Sequence, residues 1–107
     1  MTVVTVDAGI CGFSSRIEVS KLSARSVSLS ITSDCEMVSG LAERVRELSW
    51  HDVLRRRPDS LLRQSTANCI KHAACPVPVA IVKAIEVEMG LALPRDVLIH
   101  FETPEAK

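Results

Sequence analysis

The spacing of apolar residues changes near residue 33, and that change limits the folds open to this chain. Before it, apolar side chains recur at every second position: Val27, Leu29 and Ile31 stand between Ser26, Ser28, Ser30 and Thr32. A strand with one buried and one wetted face produces this alternation. The same period governs residues 16–22, where Ile17, Val19 and Lys21 oppose Glu18, Ser20 and Leu22. It holds again over residues 2–8, with Val4 and Val6 on one face and Val3 and Thr5 on the other. The links are short, Gly9-Ile10-Cys11-Gly12 and Ser23-Ala24-Arg25. Three strands joined in this way predict an antiparallel meander.

After residue 33 the period becomes helical. Ser33 and Glu36 have the spacing of a capping box. Beyond them Met37, Val38, Leu41, Ala42, Val45 and Leu48 fall on one helical face, with Glu43, Arg44, Arg46 and Glu47 turned away. Gly40 weakens this helix by about 1 kcal/mol relative to alanine without forbidding it. Residues 50–57 read as a short helix ended by Pro58. Asp59 is placed to cap another, running through Leu61, Leu62 and Ile70 to Ala73. Pro76 disfavours helical angles at Cys75, while Pro78 suits the first turn of a new helix carrying Ala80, Ile81, Ala84, Ile85 and Met89. Gly90 is placed to stop it. Val97, Ile99 and Phe101 then alternate with Leu98 and His100, which predicts a C-terminal strand ahead of a frayed tail from Glu102. Strands grouped apart from helices indicate an α+β fold. The expected form is a two-layer sandwich, the meander and a C-terminal strand covered by three or four helices, in one domain over residues 1–107.

Several function classes conflict with the composition. Lys plus Arg and Asp plus Glu both number 13, so no net field recruits nucleic acid or an anionic membrane. Arg55, Arg56 and Arg57 stand in a row, but Pro58 and Asp59 follow at once, as in a solvated turn. There is no Tyr, one Trp (Trp50) and two Phe (Phe13, Phe101), too few for a base-stacking platform. The expectation is a protein without nucleic-acid or membrane partners, a protein partner and oligomeric state staying open. Residues 2–7 lack the basic leader of a signal peptide, and no apolar run reaches the roughly 18 residues of a membrane span. A cytoplasmic location is expected, and in a reducing compartment four cysteines are free, ligating or catalytic sooner than paired.

Those cysteines are the main chemical feature. Cys11 sits in the glycine-flanked turn and Cys35 in the first turn of the first helix, where free backbone N–H groups favour negative charge. Cys69 and Cys75 lie in the stretch N-C-I-K-H-A-A-C-P-V-P (68–78), on either side of His72. Structural zinc sites draw on close pairs such as C-x2-C, which this C-x23-C-x33-C-x5-C spacing lacks. Scattered cysteines with a terminal Cys-Pro fit an iron–sulfur cluster better. A soft metal would also accept Cys69-x2-His72-x2-Cys75 as part of a mixed set. Against these stands plain packing, since a buried cysteine behaves as a small hydrophobe; Cys69, on an apolar helix face with Leu62 and Ala73, suits that role.

Other candidates are narrower. Glu88 projects toward the apolar side of its helix near Ile81 and Ile85, where burial would raise its pKa and make it a base. His51 and His100 have no companions and read as solvent-facing. The glycine-rich phosphate and dinucleotide loops, the G-x-S-x-G elbow and H-E-x-x-H are all missing.

The segments D-A-G-I-C-G-F (7–13), S-D-C (33–35), H-A-A-C-P-V-P (72–78) and K-A-I-E-V-E-M-G-L-A-L-P (83–94) resemble a small family of uncharacterised proteins from anaerobic microbes. The likeness covers most of the chain and all four cysteines. It implies that the cysteine set is a family trait in a setting that suits an oxygen-sensitive cluster, and it carries no activity. The leading expectation is a small metal- or iron–sulfur-binding protein with Cys11, Cys35, Cys69 and Cys75 as ligands and His72 as an alternative or outer ligand. The cofactor would be an iron–sulfur cluster or zinc. A thiol oxidoreductase using Cys69 and Cys75, or a non-catalytic oligomerising module, are the alternatives.

Overall fold

The computed structural model describes residues 1–53 and 59–104. Strands β1 (Thr2–Asp7), β2 (Ser14–Ser23) and β3 (Ser26–Ser33) form the antiparallel meander that the alternation predicts. Register explains why alternation decides the faces. Val4 pairs with Ile17 and Ile17 with Ile31, so the apolar positions of neighbouring strands form rows on one side. Ile17, Val19, Val27 and Leu29 are buried there, whereas Arg16, Ser30 and Thr32 on the other side are exposed.

Helix α1 (Glu36–Arg44) follows, and its start differs from the expected capping box. Cys35 is the N-cap and makes no side-chain cap. Ser33 remains in β3, where its Oγ accepts the Cys35 N–H at 3.1 Å and its carbonyl accepts the Ser39 hydroxyl at 3.2 Å. The helix is also shorter than its apolar spacing suggests. Strand β4 (Glu47–Ser49) takes its last residues and pairs with β3, completing the order β1-β2-β3-β4. Leu48 is buried by either geometry, so spacing alone does not separate helix from strand there. The open edge of β3 decides: the Leu29 N–H reaches the Arg46 carbonyl at 2.7 Å, and Leu48 pairs with Val27.

The fourth strand is therefore internal, and the expected C-terminal strand over residues 97–101 does not form. That segment carries no regular structure and is exposed throughout. A strand needs hydrogen-bonding partners as well as alternation, and within this chain the segment has none among the described residues.

A single 3₁₀ turn, Trp50–Asp52, stands where a short helix over 50–57 was expected. The rest of that expectation, with Arg55–Arg57 and Pro58, lies outside the described residues. Helix α2 (Leu61–Cys69) is capped by Ser60, whose Oγ accepts the Arg63 N–H at 3.1 Å, and not by Asp59. It ends at Cys69, four residues before the expected Ala73. Helix α3 (Val77–Glu88) carries Pro78 in its first turn as expected. Gly90 (φ +76°) stops it: the Gly90 and Leu91 N–H groups bond the Val87 and Glu86 carbonyls at 3.0 and 2.8 Å. This end-cap uses the left-handed angle that glycine adopts without strain.

Helix α3 packs on β1 and β2, and α1 packs on β3 with α2 beside it. Val77, Ile81, Ala84 and Ile85 from α3 meet Ile17 and Val19 from β2 and Val38 and Leu41 from α1 in one core. The architecture of the described residues is α+β, a four-stranded antiparallel sheet with three α-helices.

Candidate functional site

The four thiols stand on three separate connections, and the topology carries all of them to one end of the fold. The turn bearing Cys11 joins Asp7 to Ser14, which pair across β1 and β2. Ser15, one position on, pairs with Ser33 at the end of β3, and Cys35 lies two residues past it. Side chains tie this corner together. The Ser15 hydroxyl donates to Ser33 Oγ at 2.8 Å, and Ser33 Oγ in turn accepts the Cys35 N–H.

The other two thiols arrive from the helices. The Lys71 N–H approaches Met37 Sδ at 3.5 Å, which sets the end of α2, and with it Cys69, beside the first turn of α1. Helix α3 ends where Glu88 holds Thr2 and Lys21, at the opposite end of β1. Its 12 residues span about 18 Å, the length of β1, so its start lies back at the Cys11 end. Cys75 precedes that start by two residues and donates its N–H to the His72 carbonyl at 3.3 Å.

Proximity is not ligation. Cys35, Cys69 and Cys75 are half-buried against the core, Cys11 is exposed, and all four are free. Among the described residues no group of three or more His, Cys, Asp or Glu is arranged to hold a metal ion. The Cys11 turn is shaped by its two glycines. Gly9 and Gly12 adopt φ of +89° and +74°, and the turn is closed by the Gly12 N–H to the Gly9 carbonyl at 2.9 Å.

His72 is exposed on the wall of a broad cleft of about 900 Å³ between α2 and α3. Cys75 shares that wall, with Arg63, Lys83 and Glu86 around its rim. Thr66 lines it too, and its hydroxyl is buried without a hydrogen-bond partner among the described residues. His51 and His100 are exposed, as expected.

Glu88 is not the raised-pKa base that its helix face suggests. Its carboxylate accepts the Thr2 hydroxyl at 2.7 Å and the Lys21 N–H at 3.0 Å, with the terminal ammonium at 3.5 Å. The Thr2 bond, helped by Lys21 and the ammonium and opposed by burial, holds its pKa below the ordinary glutamate value. It is a clamp between α3 and the sheet. Asp52 is a comparable clamp that the sequence reading passed over. Its carboxylate accepts the Ser49 N–H and hydroxyl at 3.2 and 3.0 Å and the Leu61 N–H at 3.1 Å. The one available signal was Ser49-x2-Asp52, an acid three residues after a serine, as in a helix-start cap.

No helix among the described residues is long and apolar enough to cross a membrane. A family model described as a family of unknown function (DUF6951) matches residues 2–101. No curated protein and no solved structure matches the chain.

Proposed function

The chain belongs to that family of unknown function, DUF6951, and with no activity to take from it we propose that the protein binds a thiolate-ligated metal or iron–sulfur centre. Cys11, Cys35, Cys69 and Cys75 would be the ligands, with His72 as an alternative or outer ligand. One observation supports this reading: the three connections that bear the four free cysteines lie at the same end of the fold. Plain core packing accounts for Cys35, Cys69 and Cys75 but not for an exposed Cys11 in a glycine-flanked turn. Four thiolates are a donor set that suits soft or borderline metals.

The donors do not stand preassembled, so binding here includes a closing movement. The exposed Cys11, on its glycine-flanked turn, is the ligand we assign to that movement. Each thiol gives up its proton on ligation, so affinity rises with pH. The group, when bound, would supply electron transfer if it is a cluster, or a structural cross-link between sheet and helices if it is zinc.

The test is anaerobic purification followed by metal analysis and visible absorption. Reconstitution with iron and sulfide should give charge-transfer bands and a fixed iron content per chain, or zinc should bind stoichiometrically without colour. Cys11→Ser should abolish tight binding while leaving the circular dichroism spectrum intact. A chain that takes up neither metal with all four thiols intact refutes the proposal. A reversible Cys69–Cys75 bridge under mild oxidant, without metal, would assign thiol redox chemistry in its place.

A further inference from the structure

Residues 91–104 leave the end of α3 without regular structure, and every one of them is exposed. Their content is unlike that of a solvated tail. Leu93, Val97, Leu98, Ile99 and Phe101 are 60–92% exposed. The radius of gyration is 14.6 Å, against about 13 Å for a compact chain of this length, and the long axis is 56 Å beside 29 and 25 Å. The segment is an apolar arm reaching off the body.

The same chain carries an unfilled strand position. β1 is one of the two outer strands of the sheet, β4 being the other, and its far side has no partner among the described residues. Natural edges are guarded by lysine, proline, bulges or short length. β1 has six residues, five of them β-branched, with no Lys, Pro or Gly. Its core-facing residues report a missing neighbour. Val4 and Val6 are only half-buried, whereas Ile17 and Val19 in β2 are fully buried.

The two features match. Pro94 and Pro104 bracket residues 95–103, which keep all their N–H donors, and this window exceeds the length of β1. Within it Val97, Ile99 and Phe101 occupy one face of an extended strand, the face that would continue the row of Val4 and Val6. We infer that residues 97–101 add as an edge strand to β1 of a second copy of this chain, giving a strand-exchanged dimer.

A second copy is the occupant for two reasons. Each chain is both donor and acceptor, so one two-fold contact fills the β1 edge of both chains and covers both arms. The arm also departs beside the edge it would serve in the partner: Glu88, two residues before Gly90, is bonded to Thr2 at the start of β1. The two exchanged arms then cross at adjacent sites. The family match, residues 2–101, takes in both the edge strand and the arm.

Sedimentation equilibrium of the full chain, with hydrogen exchange on the same sample, tests this. The expected mass is that of two chains of 11.7 kDa, with slow exchange at residues 97–101 and along β1. Ile99→Pro removes a strand N–H in a segment that is exposed throughout. It should give the monomer mass and fast exchange at β1, with the far-ultraviolet spectrum of the body unchanged. A wild-type monomer overturns the inference, whether the arm exchanges freely or is protected by folding back on its own β1. A dimer that persists in Ile99→Pro overturns it equally.

Discussion

Replacing Glu88 by alanine removes the side chain that fastens the last turn of α3 to the starts of β1 and the β2–β3 hairpin. Two hydrogen bonds to a carboxylate are at stake, 2.7 Å from the Thr2 hydroxyl and 3.0 Å from the Lys21 N–H. Bonds to charged groups contribute about 1.5–3 kcal/mol each. The Lys21 N–H is exposed and can turn to water, so its share falls well below that range. The terminal ammonium at 3.5 Å is half-exposed and adds about 0–1 kcal/mol. The expected loss is about 2 kcal/mol for Glu88→Ala and about 1 kcal/mol for Glu88→Gln, which keeps one acceptor. At about 4 °C per kcal/mol the alanine variant melts about 8 °C lower.

The pH dependence identifies the carboxylate as the cause. Its folded pKa is depressed, chiefly by the Thr2 bond. The contribution is therefore complete above the unfolded-chain value of about 4.3 and is lost as pH falls through the folded value. Urea titrations followed by circular dichroism, at fixed protein concentration, should show the full gap between wild type and Glu88→Gln at pH 7. The gap should close steadily below about pH 4. A glutamine variant as stable as wild type at pH 7, or a gap unchanged at pH 2–3, would refute the clamp.

Two further outcomes follow from the same geometry. Asp52→Asn should cost about 1–2 kcal/mol at neutral pH by urea midpoint. Burial alone would raise the Asp52 pKa, but bonds from Leu61 and Ser49 and the nearby His51 outweigh it and hold it low, so this loss too should fade on acidification. Gly40→Ala should raise stability by about 0.5–1 kcal/mol in thermal melts, because the added Cβ meets nothing within 4 Å and the helix loses its most flexible residue.

The sequence by itself determined three of the sheet's four strands. Alternation along residues 2–8, 16–22 and 26–32 set which side chains face inward, since in a pleated strand that depends only on the parity of position. Proline and glycine likewise set the start and end of α3, because their backbone preferences act locally. Only the tertiary structure decided what alternation and helical spacing leave open. Residues 47–49 fit either period and became strand because β3 offered an edge. Residues 97–101 carry an alternating pattern too, yet remain unpaired among the described residues, because a strand exists only with a partner. Glu88 was legible as a carboxylate on an apolar face, but whether burial or hydrogen bonds governed it depended on Thr2 and Lys21, 86 and 67 positions away. The cysteines followed the same rule. Their number and isolation were plain in the chain, and their arrival at one end was set by strand register and helix length, which no local pattern encodes.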